Sequence, residues 1–198
     1  MQIKVTTESL DRLPHECLVL GFFSDERPPR GNGGFADWRL NGLISRLIAD
    51  GKIRGDFKER VLIDTHSRIP PQKIVLFGLG KRRELSYETL QEAGARMAET
   101  AVRIHCYDFA VEVPGAGRSL LEVAEMTTAF TTGMFDYLSG NLEHLSAVTP
   151  CLLSDESFFQ KTLLGIHKLR LNVKDKVQID IRIQREEQEL SMEASLGD

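Results

Sequence analysis

The sequence has little of what marks a secreted, membrane or metal-dependent protein. It has three cysteines, Cys17, Cys106 and Cys151, and no two share a metal-ligand or redox spacing. The count is odd and no signal peptide is expected, so buried free thiols in a reducing cytoplasmic setting are the reading. No apolar run approaches the roughly 18 residues that span a bilayer. The histidines, His15, His66, His105, His144 and His167, make no HExxH pair and no helical i, i+4 pair. No metal and no cofactor is expected on that basis. A G-x-S-x-G elbow is also missing. The body of the chain lacks net charge as well. Residues 1–183 balance acids against bases, and the net −4 comes from residues 184–198, where Arg185 stands against Glu186, Glu187, Glu189, Glu193 and Asp198. A neutral body has no basic footprint for nucleic acid. Lys81, Arg82 and Arg83 form its one tight basic run.

What is present is alternation. Gln2–Thr7 reads as a strand, and Cys17–Phe23 (CLVLGFF) as a strand buried on both faces. Leu40, Leu43, Ile44, Leu47 and Ile48, with Ala36 one turn earlier, predict one amphipathic helix that stops at Gly51. Trp38 on that helix, with Phe22 and Phe23, reads as core. Val61–Thr65 and Lys73–Phe77 are further strands. Ser86 predicts the N-cap of a helix reaching Ile104, with Leu85 and Leu90 at hydrophobic-staple spacing. Phe109–Val113 is the next strand. Ser119 with Glu122 has the spacing of a capping box opening a helix to Gly140. Ala147–Leu153 reads as a strand and Ser154 as the cap of a helix through Leu169. Val177–Ile183 (VQIDIRI) alternates as a half-buried or edge strand does; Val177–Asp198 reads first as a solvated, solubilising end, and otherwise the strand covers a sheet edge or pairs with a second copy. Strands alternating with helices predict an α/β fold.

Two loops join a strand to a helix start. The first carries Gly31, Asn32, Gly33 and Gly34, and the second carries Gly115, Gly117, Arg118 and Ser119. Glycines let backbone amides converge on an anion, and a helix N-terminus favours negative charge. The same glycines also serve plain tight turns, and neither loop completes a P-loop or Rossmann fingerprint. Gly78-Leu-Gly-Lys81 reads as a turn after its strand. Asp64 and His66 share a strand face without a partnered nucleophile, and read as solvated polar residues.

The order of these motifs resembles a known family. The CLVLGFF strand, its glycine loop and helix, the segment Gly51-Lys-Ile-Arg-Gly-Asp-Phe-Lys58, and Lys73–Ala98 (KIVLFGLGKRRELSYETLQEAGARMA) look like the N-terminal domain of the leucyl (cytosol) aminopeptidase family. The likeness covers roughly residues 1–170. It implies a macrodomain-like three-layer α/β/α sandwich around a mixed sheet over residues 1–171, with 172–198 as an extension carrying one strand and an acidic tail. In that family the two-metal centre and catalytic lysine and arginine lie in a separate domain. Its Asn-Thr-Asp-Ala-Glu-Gly-Arg and Val-Gly-Lys-Gly-like signatures do not occur here. No catalytic or metal-ligating residue of the family is therefore carried onto this sequence. The resemblance implies a non-catalytic domain acting in assembly, partner binding or regulation, by self-association or with a protein partner such as a separate catalytic chain. The macrodomain likeness adds a phosphate-bearing, ADP-ribose-like ligand at the two glycine loops, although the Asn-Ala-Ala-Asn run of active macrodomains is missing.

Overall fold

The computed structural model describes residues 1–13 and 15–184, so the acidic tail of residues 185–198 lies outside the described residues. The elements run β1 (Gln2–Thr6), β2 (Cys17–Phe22), α1 (Gly31–Arg39), α2 (Leu43–Ala49), β3 (Arg60–Asp64), β4 (Lys73–Gly78) and α3 (Tyr87–Arg103). They continue with β5 (Asp108–Glu112), α4 (Val123–Ser139), α5 (Leu142–Ala147), β6 (Thr149–Leu153), α6 (Phe159–Val173) and β7 (Asp180–Gln184). Seven strands form one sheet in the order β3-β4-β2-β5-β6-β1-β7. β3 alone is antiparallel to its neighbour, and the other pairs are parallel. The expected mixed sheet is present, and helices cover both of its faces.

The reason lies in side-chain alternation. On β2, Cys17 and Val19 point into a core shared with α3, α4 and α6, where Met97, Phe130 and Ile166 are fully buried. Leu18, Leu20 and Phe22 point the other way, into a second core built with Ala36 of α1 and Ile44 and Ile48 of α2. A central strand apolar on both faces needs a helical layer on each side. All three cysteines are buried and free. No helix among the described residues is long and apolar enough to cross a membrane.

Several local expectations change. The single helix over Ala36–Ile48 is two helices, because Asn41 (φ 56°) and Gly42 (φ 73°) take left-handed conformations between them. The break turns Trp38 outward: it is 67% exposed, not core, and the Arg39 guanidinium lies 5.6 Å from its ring centre. Ser86 does cap α3, accepting from the Thr89 amide while the Thr89 hydroxyl accepts from the Ser86 amide. Ser119 does not cap α4. That helix starts four residues later, where the Glu122 carboxylate accepts from the amides of Ala124 (2.7 Å) and Glu125 (3.2 Å). Nor does Ser154 cap α6. A short 3-10 turn, Glu156–Phe158, intervenes, and the Ser154 hydroxyl bonds Thr162 instead. The strand expected through Thr65 stops at Asp64. His66 then turns to φ 50° and donates its backbone N–H to the Asp64 carboxylate in solvent. Gly78 ends β4 as expected. A Cβ there would lie 2.0 Å from the Asp56 carbonyl oxygen, so this strand end admits only glycine.

Candidate functional site

Parallel strands place their following loops along one edge of the sheet, and ligands of such sheets sit there. Here β2, β5 and β6 are neighbours, and the segments after them bound a cleft of about 230 Å³. It brings together Gly31 and Asn32 from the first glycine loop with Gly117 and Arg118 from the second. The other four expected residues lie outside it. All four residues of the first expected loop form the first turn of α1, and Gly33 there does not line the cleft. Gly34 lets the helix approach Pro29, whose carbonyl oxygen would lie 2.6 Å from any Cβ. Gly115 (φ 77°) packs against Leu85 and Phe23. The Ser119 hydroxyl contacts the Met126 sulfur at 3.5 Å.

The charges of the cleft form a closed set. Arg118 donates through Nη1 to Glu26 Oε1 (2.9 Å) and through Nη2 to Glu112 Oε1 (3.3 Å). Glu112 Oε2 accepts from the Asn32 amide at 3.0 Å. The guanidinium carbon lies 5.9 Å from the centre of the Phe23 ring, which supports its plane. Both carboxylates are deeply placed, with side-chain exposures of 9% for Glu26 and 13% for Glu112. Burial pushes the Glu112 carboxyl above the usual carboxylate range; Arg118 and Asn32 oppose that shift, and Glu26 adds to it. One oxygen, Glu26 Oε2, is buried without a hydrogen-bond partner among the described residues. The donors that Arg118 was expected to offer a phosphate are thus directed at two carboxylates of its own chain.

The backbone is less fully engaged. Around the second loop, Ala116 donates to Val113 O and Arg118 to Gly115 O. The amides of Gly115 and Gly117 have no partner among the described residues. Both glycines are left-handed, and a Cβ on Gly117 (φ 69°) would meet the Phe158 ring at 2.4 Å. No side chain caps the N-terminus of α1, so its first amides also open at the cleft.

Glu26, Glu112, Asp155, Phe158 and Thr162 were missed from sequence. Glu112 left one signal, a carboxylate inside the apolar run DFAVEV. Glu26 left none, since 92 residues separate it from Arg118. A second titratable cluster lies away from the cleft, at the start of β5. Buried His15 meets Asp108 at 3.0 Å, and Lys4 meets the same oxygen at 3.3 Å. Burial lowers the His15 pKa against the pull of Asp108. No group of three or more His, Cys, Asp or Glu suited to a metal ion gathers among the described residues.

The chain is 32% identical over 136 residues to a probable cytosol aminopeptidase of Thermosynechococcus vestitus, covering 68% of this chain and 27% of that protein. It is 31% identical over 101 residues to that of a Cyanothece species, covering 51% of this chain and 20% of that one. The chain therefore spans about a fifth to a quarter of these relatives. Solved structures with the same fold include a Trypanosoma brucei macrodomain in complex with ADP-ribose. It has a TM-score of 0.66 at 12% identity, over 81% of this chain and 67% of that one. An Oceanobacillus iheyensis macrodomain with ADP gives a TM-score of 0.63 at 10% identity, over 85% and 90%. Residues 19–138 match the profile of the cytosol aminopeptidase family's N-terminal domain, and the chain belongs to that family.

Proposed function

We propose that this chain is a non-catalytic association domain: it holds a partner and converts nothing. The observation that supports this most is the closed set around Arg118. The cation of the cleft is balanced by Glu26 and Glu112, and Glu112 also holds Asn32. A general acid or base needs a proton acceptor or donor free to meet a substrate, and these groups meet one another. The three buried free thiols suit a reducing compartment, and the reading locates the chain in the cytosol. The test is hydrolysis of leucine p-nitroanilide by the purified chain with added Mn²⁺ or Zn²⁺. The rate expected is that of the metal-only blank, and turnover above it overturns the reading.

A second reading is supported by the backbone. The unpartnered amide of Gly117 and the open N-terminus of α1 offer donors to a phosphate-bearing ligand. A cleft of 230 Å³ is smaller than the roughly 300–1,000 Å³ of drug-sized ligand sites, so it would take one end of a nucleotide. Calorimetric titration with ADP-ribose, NAD and simple nucleotides reads this directly. Binding heat that Gly117→Val removes supports it, and no heat with any of them rejects it.

A further inference from the structure

Among the described residues β7 is the outermost strand of the sheet, with no strand beside its outer edge. The Asp180 amide donates inward, to Met1 O. In a parallel pair the amide and carbonyl of one residue face the same neighbour, and alternate residues face opposite ways. Asp180, Arg182 and Gln184 therefore bond towards β1, while Ile181 and Ile183 turn their backbone groups to the open edge. Such a row is a template for another strand. The usual guards are thin, since β7 contains no Lys and no Pro.

We propose that two copies of this chain pair edge to edge through β7, antiparallel about Ile181, joining their sheets into one. This rests on the association reading above and names the partner. A two-fold interface between identical strands is antiparallel and self-complementary. About Ile181, Asp180 of one copy faces Arg182 of the other on one side of the sheet, and the symmetry repeats the pair; within one copy the two already meet at 3.1 Å, an exposed contact that the pairing exchanges for two across the seam. On the opposite side Ile181 meets its own copy with Ile183 beside it, while Ile179, which precedes β7, stays in its own core. Ile181 is a position whose backbone groups point outward, so it forms a hydrogen-bonded pair with its own copy. The apolar side also has surface to bury: Ile183 is 50% exposed, and Leu171 of the neighbouring helix α6 is 64% exposed. The other sheet edge, β3, fits less well. Its exposed large apolar side chain is Leu62 alone.

Light scattering or sedimentation equilibrium of the full chain tests the pairing. The expected mass is twice the 22.3 kDa of one chain. Arg182→Glu sets like charges opposite each other twice, and weakens the dimer about tenfold or more. The double variant Asp180→Arg/Arg182→Glu restores opposite charges and returns the dimer. Ile183→Lys, at a half-exposed position, also yields monomer while leaving the melting temperature of the monomer unchanged. A wild-type monomer, or a dimer indifferent to Arg182→Glu and Ile183→Lys, overturns the proposal. Leucine p-nitroanilide hydrolysis by the same samples separates the two claims. Turnover defeats the association reading whatever the mass, and an inactive monomer defeats only the pairing.

Discussion

Arg118→Met keeps most of the side-chain bulk and removes its charge, leaving Glu26 and Glu112 facing each other without a cation. Each ion pair attracts by about 4 kcal/mol at 4 Å with an effective dielectric of about 20, offset by the desolvation of three groups. Removing one partner from a buried pair costs about 3–5 kcal/mol. Arg118 keeps 23% exposure, so the low end applies, about 3 kcal/mol at pH near 8. For a chain of this size that lowers the melting temperature by about 6–12 °C. The pH dependence identifies the cause. Burial already raises the Glu112 pKa in the folded state. A carboxyl raised on folding favours the folded state below its unfolded pKa, and that contribution is lost as pH rises through the folded value. Without Arg118 the carboxyl rises further, so the variant suffers more at high pH than at low. Scanning calorimetry of both proteins at about pH 8 and pH 5 should show a smaller deficit at the lower pH. A deficit of equal size at both pH values, or one below about 1 °C, would refute the network as described.

Gly133→Ala sets two effects against each other. Alanine favours the helix by about 1 kcal/mol, but its Cβ would lie 1.7 Å from the Gln91 carbonyl oxygen on α3. Backbone cannot rotate away, so a net loss of about 2 kcal/mol is expected, and an unchanged or raised melting temperature would contradict the α3–α4 packing. Ser86→Ala removes the cap of α3 and should lower stability by about 1 kcal/mol in urea titrations. Burial raises the Glu99 pKa, but hydrogen bonds and charges from Arg96 and Arg60 outweigh it and hold the group below the ordinary carboxylate value. Its contribution is therefore present above the unfolded pKa and lost as pH falls through the folded one, so Glu99→Gln should destabilise at neutral pH and have progressively less effect as the solution is acidified. Burial pushes the Cys151 thiol up to about 12 and raises Cys17 and Cys106 as well. A thiol reagent at pH near 8 should find none of the three until denaturant is added; fast labelling of the native chain would contradict their burial.

The parts of the fold legible in sequence are those where one local rule has no rival. CLVLGF and KIVLFG are buried on both faces, so unbroken apolar runs announce them. Ser86 and Leu90 suffice for α3 because the cap and the apolar stripe agree. Where two local rules compete, tertiary context decides. The apolar spacing from Leu40 to Ile48 runs straight through the Asn41–Gly42 break, since α1 and α2 pack on the same sheet face. Ser119 and Glu122 have cap spacing, but the glycine turn delays the helix until Glu122 takes the cap itself. The cleft divides in the same way. Its glycines stood out as turn formers, whereas the Glu26–Arg118–Glu112 set joins residues that no sequence period connects.

The placement of β1 has a consequence for how the chain is made. Of the described strands it comes first in sequence, yet it lies between β6 and β7, which come last among them. Met1 reaches Gln178, 177 positions away. During synthesis β2, β3, β4 and β5 find one another as they emerge, while β1 waits with both edges unpaired until residues 149–153 arrive. Closing so long a loop is slow, and an unpaired strand is exposed to wrong partners in the meantime. The amides of Gln2–Thr6 should accordingly be among the last to gain protection in pulse-labelled hydrogen exchange, together with those of β7, whose one strand neighbour among the described residues is β1.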